Sequence, residues 1–133
     1  MQKFFLAAVM TFIISTVFSQ NRLEIKLEEF RNDKGFLMLQ LLDDDQQVLN
    51  EAQERIRNNE SVVIFENLKA GTYAVRYFHD ENESGKLDTN LLGKPIEGYG
   101  FSNNVFAKFG PPSFDKWLFI LNEDKKLVLK PVY

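Results

Sequence analysis

The 133-residue chain contains no cysteine and only one histidine. The lack of cysteine excludes a disulfide framework, a thiolate metal site, a cysteine nucleophile and lipid attachment to an N-terminal cysteine. A single histidine is too few for a zinc site, which needs several nitrogen or sulfur ligands. No Gly-x-Ser-x-Gly motif supplies the exposed nucleophile of a Ser-His-Asp triad. We therefore expect a protein that is not an enzyme.

A strong positive charge is also missing. Lysine and arginine together number 16 against 19 aspartate and glutamate residues, which gives a formal net charge of -3. Binding to nucleic acid depends on clustered basic side chains that neutralise phosphates. No such cluster is present in the sequence, so we do not expect nucleic acid as a partner.

Only one long apolar run occurs, and it lies near the start of the chain. Lys3 precedes the apolar segment 4–18, and Val17 and Ser19 place small residues at the positions that precede a cleavage site. The run is shorter than the roughly 20 residues that span a bilayer. We predict a secretory signal peptide over residues 1–19, with a retained membrane anchor as the less favoured alternative. The mature protein would then be exported, either periplasmic or secreted, without a transmembrane span.

The rest of the chain, residues 20–133, is expected to form one all-β domain. Leu23, Ile25 and Leu27 alternate with charged residues, which is the period of a half-buried strand. Short apolar or aromatic runs separated by turn residues repeat along the chain. The predicted strands are 23–27, 36–42, 61–65, 72–78, 105–109, 117–121 and 126–132. This pattern favours an antiparallel two-layer β-sandwich of about seven strands, either transthyretin-like or Ig-like, over a small closed barrel.

One short helix is predicted between the second and third of these strands. The aspartates at 43–45 are candidate N-cap residues, and Val48, Leu49, Ala52 and Ile56 lie on one face of a helix. Capping and solvation explain the three aspartates better than a metal site does.

A long acidic loop rich in Gly and Asn, from about residue 79 to 104, contains the candidate chemical site. Oxygen-bearing side chains recur at alternate positions and are followed by Gly85, which permits a sharp turn. Calcium prefers six to eight hard oxygen ligands, and a curled loop can direct alternate side chains to one point. The predicted ligands of a Ca2+ ion are Asp80, Asn82, Ser84, the carbonyl of Lys86, and Asp88.

This candidate site is incomplete as a calcium loop. Its twelfth position, where a bidentate acid is needed, is Leu91. We therefore expect Glu97, on the same excursion, to complete the ligand set. The alternative is a metal-free polar loop in which Asp80, Asn82 and Asp88 accept hydrogen bonds from their own backbone in Asx turns. His79 is expected to orient the loop through a hydrogen bond rather than to act in catalysis.

Four segments in this region, taken together, resemble a known family. They are 71–75, 79–90, 93–95 and 97–104. The pattern is similar to an uncharacterised bacterial exported family catalogued as domain of unknown function 2141. The resemblance covers about the whole mature chain and is densest from Phe65 to Phe119.

This resemblance implies a fold but no activity. Members carry export signals, and the domain is similar to transthyretin-like or carboxypeptidase-regulatory-like sandwiches. No activity is established for the family, so none is carried over. Ser84 stands where the family pattern usually has Asn or Asp, which are stronger calcium ligands, so the resemblance supports the shape of the loop more than its affinity.

The segment 97–104 presents a second candidate site. Gly98 and Gly100 flank Tyr99 and leave the backbone free to adopt positive φ. Tyr99 and Phe101 either form a binding platform for a sugar or a peptide or close one end of the sandwich, and we favour the second reading. The weaker ligand-binding candidates are Tyr99, Phe101, Asn103 and Asn104.

Three functional hypotheses follow, in order of preference. The first is an exported, calcium-stabilised module that binds a cell-envelope protein or a glycan. The second is a carbohydrate- or peptide-binding protein that uses the Tyr99 and Phe101 surface. The third is a hydrolase that uses the carboxylates of the acidic loop.

Overall fold

The computed structural model describes residues 12–15 and 19–133. The predicted signal peptide, residues 1–19, falls for the most part outside the described residues. No helix in the described ranges is long and apolar enough to cross a membrane.

The described chain forms eight strands in two sheets, with two short 3-10 helices. The strands are β1 (Gln20–Leu27), β2 (Phe36–Asp43), β3 (Val48–Arg55), β4 (Ser61–Lys69), β5 (Gly71–Asp80), β6 (Tyr99–Phe101), β7 (Phe119–Leu121) and β8 (Lys125–Leu129). The 3-10 helices span Ser102–Asn104 and Phe114–Lys116. The predicted all-β class is confirmed.

One sheet has three strands in the order β4-β1-β8, and the other has five. In the larger sheet the order is β3-β2-β5-β6, and β7 pairs with the beginning of β5. All pairs are antiparallel except β1 with β8, which run parallel. The predicted sandwich is therefore correct, but it is not purely antiparallel.

The core lies between the two sheets. Leu23, Ile25 and Leu27 of β1 are fully buried, which confirms the predicted alternation. One cluster of buried side chains joins residues of the smaller sheet to residues of β2 and β5, including Leu39 and Val75. Burying each such Leu, Ile or Val side chain stabilises the fold by roughly 1.5–3 kcal/mol. The sheets therefore pack face to face around a shared core.

The predicted helix is wrong, because its residues form strand β3. The side-chain carboxylate of Asp43 accepts hydrogen bonds from the backbone N–H groups of Asp45 and Gln47, and this closes a hairpin between β2 and β3. Apolar residues four positions apart, such as Val48 and Ala52, share a face both in a helix and in a strand. The spacing alone therefore did not distinguish the two structures.

Three of the predicted strands differ from the structure. Residues 105–109 are not a strand, since Asn103 and Asn104 adopt φ of 63° and 50° and turn the chain away from the sheet after β6. The strand predicted from residue 117 begins at Phe119, because the helix Phe114–Lys116 comes directly before Trp117. The strand predicted over 126–132 occupies Lys125–Leu129.

Successive side chains of β5, which leads into the acidic loop, point alternately to the core and to the outer face of the larger sheet. Val75, Tyr77 and His79 are buried, which follows from their sharing the face that packs on the core. The residues between them, including Arg76 and Phe78, belong to the outer face of the larger sheet. Asp80 is the last residue of the strand and falls on this outer face. It is nevertheless only 2% exposed.

Candidate metal centre

The acidic loop occupies residues 81–98, between β5 and β6. Its first turn is made by Glu83 at φ 57° and Gly85 at φ 80°. The two carboxylate oxygens of Asp80 hold this turn: Oδ1 accepts the N–H of Ser84 at 3.0 Å, and Oδ2 accepts the N–H of Gly85 at 2.9 Å. Asn82 Oδ1 accepts the same Ser84 N–H at 3.2 Å, which is an Asx turn.

Three oxygen atoms of this loop lie around the hydroxyl oxygen of Ser84 and form a cluster of four oxygens with it. The Ser84 Oγ atom is 3.5 Å from Asp80 Oδ1, 3.0 Å from the Lys86 carbonyl oxygen and 3.1 Å from Asp88 Oδ2. The predicted convergence of loop oxygens is thus present for four of the six proposed ligands. Carboxylate, hydroxyl and carbonyl oxygens are the hard donors that calcium takes.

Asn82 does not direct its oxygen to this point. Its Nδ2 donates to Asp88 Oδ2 at 2.6 Å, while its Oδ1 accepts the Ser84 N–H. A half-turn of the amide would exchange these two atoms and bring the oxygen beside Asp88. As placed, Asn82 belongs to the cluster as a hydrogen-bond donor.

Glu97, predicted to complete the site, ties the two ends of the loop together. Its Oε1 accepts the N–H of Glu81 and its Oε2 accepts the N–H of Asp88, each at 3.1 Å. The residue is only 4% exposed. Glu97 therefore holds Asp88 in position beside the cluster through the backbone.

The cluster carries negative charge that no ion pair balances within the described part of the chain. Within residues 12–15 and 19–133, Asp80, Asp88 and Glu97 form no ion pair with lysine, arginine or histidine. The arginines nearby are engaged elsewhere: Arg31 pairs with Glu81, and Arg55 pairs with Glu83. A buried carboxylate without a cationic partner is unfavourable, even when backbone N–H groups satisfy its oxygens.

The composition of the cluster limits the kind of metal it fits. No group of three or more His, Cys, Asp or Glu side chains in the described part of the chain is placed to hold a metal ion. The converging set instead combines two carboxylates with a hydroxyl and a backbone carbonyl. Such a set suits a hard cation that accepts neutral oxygens and water among its ligands.

His79 lies behind the loop, inside the core. Its Nε2 donates to the carbonyl oxygen of Lys34 at 2.7 Å, and its Nδ1 is 2.7 Å from the hydroxyl of Tyr133. The ring also packs edge-on against Phe30 at 5.2 Å between centroids. The predicted hydrogen bond to a carbonyl is present, and the ring is enclosed by these contacts.

The aromatic residues and glycines of the second candidate site are closely packed against neighbouring rings. Tyr99 and Phe101 are half-buried, and Phe101 stacks on Trp117 at 4.1 Å between centroids. The predicted freedom of the flanking glycines is wrong, since neither Gly98 nor Gly100 has positive φ. Both are glycines because of close packing: a Cβ would lie 2.5 Å from the Tyr133 ring at Gly98 and 2.2 Å from the Tyr77 hydroxyl at Gly100.

Asn103 and Asn104 use their side chains to hold the backbone. Asn103 Nδ2 donates to the carbonyl oxygens of Lys116 and Leu118. Asn104 donates to the carbonyl of Val128 and accepts the N–H of Lys130. The amides thus fasten the chain after β6 to the segments around β7 and β8.

A cavity of about 600 Å³ on the outer face of the larger sheet was not foreseen from the sequence. Its lining includes Tyr99 and Phe101 together with Gln40, Glu51 and Arg76. Arg76 Nε donates to Gln40 Oε1 at 2.7 Å, and Gln40 Nε2 donates to Glu51 Oε1 at 2.7 Å. The outward positions in the alternation of β2 and β5 are the sequence signal that could have identified these residues.

The chain was compared with known proteins. No curated protein matches it. The sequence profile of a bacterial family, described as "Uncharacterized protein conserved in bacteria (DUF2141)", matches residues 25–128, which is most of the chain. The predicted resemblance is therefore confirmed, and the chain belongs to this uncharacterised bacterial family.

Proposed function

We propose that this protein is an exported, non-enzymatic β-sandwich module whose acidic loop is stabilised by a calcium ion, and that it acts as a binding or interaction domain at the cell envelope. Export rests on the predicted signal peptide over residues 1–19. Stabilisation by calcium rests on the loop.

The observation that carries the proposal is uncompensated charge at a point of converging oxygens. Asp80 and Glu97 are almost fully buried and, among the described residues, have no cationic partner. Asp80 and Asp88 each direct a carboxylate oxygen to the Ser84 hydroxyl. A divalent cation at this point would neutralise the carboxylates and use the same oxygens as ligands.

Under this proposal the residues have distinct tasks. Asp80, Ser84, Asp88 and the Lys86 carbonyl supply oxygens. Glu97 positions Asp88 and adds negative charge, and rotation of the Asn82 amide would add a further oxygen. Water completes the coordination, as is common in calcium loops.

The test is thermal unfolding in calcium and in chelator. At a free calcium concentration about 100-fold above the dissociation constant, binding adds about 2.7 kcal/mol to the free energy of unfolding. For a domain of this size the melting temperature should rise by about 10 °C. Magnesium should stabilise less, because it demands a stricter octahedral geometry.

Variants make this experiment specific. Asp80→Ala and Asp88→Asn should melt at the same temperature in calcium and in chelator, whatever their stability in chelator. Asp44→Asn, at an exposed aspartate in the β2–β3 turn, should keep the full calcium response. Identical melting curves of the unmodified protein in calcium and in chelator would contradict the proposal.

The second candidate function is carbohydrate or peptide binding at the outer cavity. The favouring observation is the row of hydrogen-bonding side chains, Arg76, Gln40 and Glu51, beside the rings of Tyr99 and Phe101. Aromatic rings stack on the apolar face of a sugar while amide and charged groups bind its hydroxyls. Binding on a glycan array that is lost in Tyr99→Ala and kept in Tyr133→Phe would support this second function. Binding that Tyr99→Ala leaves unchanged would refute it.

A further inference from the structure

Two loops beside the candidate metal centre expose large apolar side chains. Leu91 and Leu92, in the segment 89–96, are 106% and 93% exposed. Phe109, in the segment 105–112, is 86% exposed, and Phe106 is also largely in solvent. Contiguous exposed apolar groups of this size mark sites of interaction with a protein or a membrane.

The two loops form one surface. A cavity of about 840 Å³ lies between them, and its lining takes residues from both segments. We call the exposed apolar and lysine side chains of the two segments the basic apolar surface; it consists of Leu91, which is fully in solvent, and of five residues that line the cavity, Leu92, Lys94, Phe106, Lys108 and Phe109.

The charge of this surface differs from that of the whole chain. The segments 89–96 and 105–112 contain two lysines and no aspartate or glutamate, although the chain has a net charge of -3. Among the described residues, neither Lys94 nor Lys108 forms an ion pair. Lys108 Nζ lies over the ring of Phe109, 5.7 Å from its centroid. Both ammonium groups are therefore available to an anionic partner.

The leucines are presented on a structured turn. Asn90 Oδ1 accepts the N–H groups of Leu92 and Lys94, and the backbone of Asn90 bonds to Lys94 and Gly93. The turn thus satisfies the N–H groups of Asn90, Leu92, Gly93 and Lys94, while the two leucine side chains are exposed. Such an arrangement can insert apolar side chains into an apolar medium at little cost in conformational entropy.

We propose that the basic apolar surface docks on an anionic lipid bilayer. Leu91, Leu92 and Phe109 would enter the boundary between headgroups and acyl chains, and the two lysines would bind lipid phosphates. This inference deepens the proposed function, on which it rests for placing the protein at the cell envelope. It does not require that calcium be bound.

A second copy of the chain fits this surface less well than a bilayer does. In a two-fold symmetric dimer the patch meets a second copy of itself, so that the lysines of both copies would share one interface. The patch offers them no acidic partner in exchange. An anionic bilayer supplies negative charge and an apolar interior together.

The test is co-sedimentation of the protein with phospholipid vesicles in calcium. The mature chain should bind vesicles made of equal parts of phosphatidylglycerol and phosphatidylcholine. It should bind vesicles of phosphatidylcholine alone much more weakly. Each lysine near an anionic surface strengthens partition about fivefold, so Lys94→Glu with Lys108→Glu should weaken it by about thirtyfold or more. Leu91→Asp with Leu92→Asp should abolish it.

Matched controls carry the same changes at other exposed sites. Lys69→Glu with Lys125→Glu, and Val48→Asp with Leu49→Asp, should bind vesicles as the unmodified protein does. All variants are compared by melting temperature, and the leucine variant should be unchanged because its side chains touch no core. This separates lost docking from lost folding.

Failure of this inference is separable from failure of the calcium proposal. No binding to anionic vesicles, or equal binding by the Leu91→Asp and Leu92→Asp variant, would overturn the docking proposal while leaving the melting experiment intact. Analytical ultracentrifugation could instead show concentration-dependent dimers that the leucine variant does not form. If vesicles are also not bound, the surface serves self-association and the docking proposal is overturned. Vesicle binding without calcium stabilisation would retain docking and refute the metal site.

Discussion

The hydroxyl of Tyr77 is buried in the core and, among the described residues, has no hydrogen-bond partner. Burial raises the pKa of this phenol well above its ordinary value of 10. The folded protein therefore keeps the proton where the unfolded chain loses it. Because the unfolded state then binds fewer protons, the free energy of unfolding falls as the pH rises above about 10.

The change Tyr77→Phe removes this alkaline instability. At neutral pH it should alter the free energy of unfolding by no more than about 1 kcal/mol, since the lost hydroxyl has no partner. Between about pH 9 and pH 11 the unmodified protein should lose about 1.4 kcal/mol more than the variant. Urea denaturation at both pH values measures this, with Tyr99→Phe, at a half-buried tyrosine, as the control. Parallel losses in the two proteins would show that Tyr77 does not govern the alkaline response.

The residues of the acidic loop were largely predictable because their spacing is local. Oxygens of Asp80, Ser84, Lys86 and Asp88 converge once Glu83 and Gly85 turn the chain, and of these two turn residues the sequence identified Gly85. The task of Glu97 was not predictable in detail. Its two hydrogen bonds, to the N–H groups of Glu81 and Asp88, depend on how the far end of the loop returns to β6.

At the level of elements, strand alternation was the reliable signal and four-residue spacing was not. β1 was predicted from alternation and β2 from a short apolar run, and the structure agrees with both predictions. β3 is an edge strand with no buried residue, so its sequence does not show an alternation of apolar and polar residues. What decides its conformation is the hairpin closed by Asp43, which pairs Leu39 with Ala52.

Some glycines in this fold are required because two elements pack too closely for a Cβ atom. A single sequence does not show such contacts. Gly35 directly precedes β2 and has φ of 66°, a backbone conformation that glycine adopts readily. A Cβ at this position would also lie 1.8 Å from the carbonyl oxygen of Asp80. The start of β2 is thus packed against the residue from which the acidic loop departs, and this contact is tertiary in origin.

For the molecule as a whole, the sandwich was predictable from the number of short strands, but the parallel pairing of β1 with β8 was not. Antiparallel neighbours joined by tight turns have a local signature. β8 instead comes from the far end of the chain and aligns Ile25 with Leu127 and Leu27 with Leu129. β8 pairs with the edge of β1 that β4 does not occupy, and this depends on the assembled sheet rather than on local sequence.

β8 contributes Leu129 to the cluster shared by both sheets, whereas Val128 beside it is exposed. Leu129→Ala should therefore lower the free energy of unfolding by about 2–5 kcal/mol, and Val128→Ala by less than about 1 kcal/mol. Trp117 lies in a separate small cluster with Leu42, so its fluorescence reports on packing outside the cluster that contains Leu129. If the sandwich unfolds as one cooperative unit, the urea midpoints from Trp117 fluorescence and from circular dichroism should fall together in the Leu129→Ala protein. A Trp117 transition that keeps its original midpoint while the circular dichroism midpoint falls would show that the two sheets unfold separately.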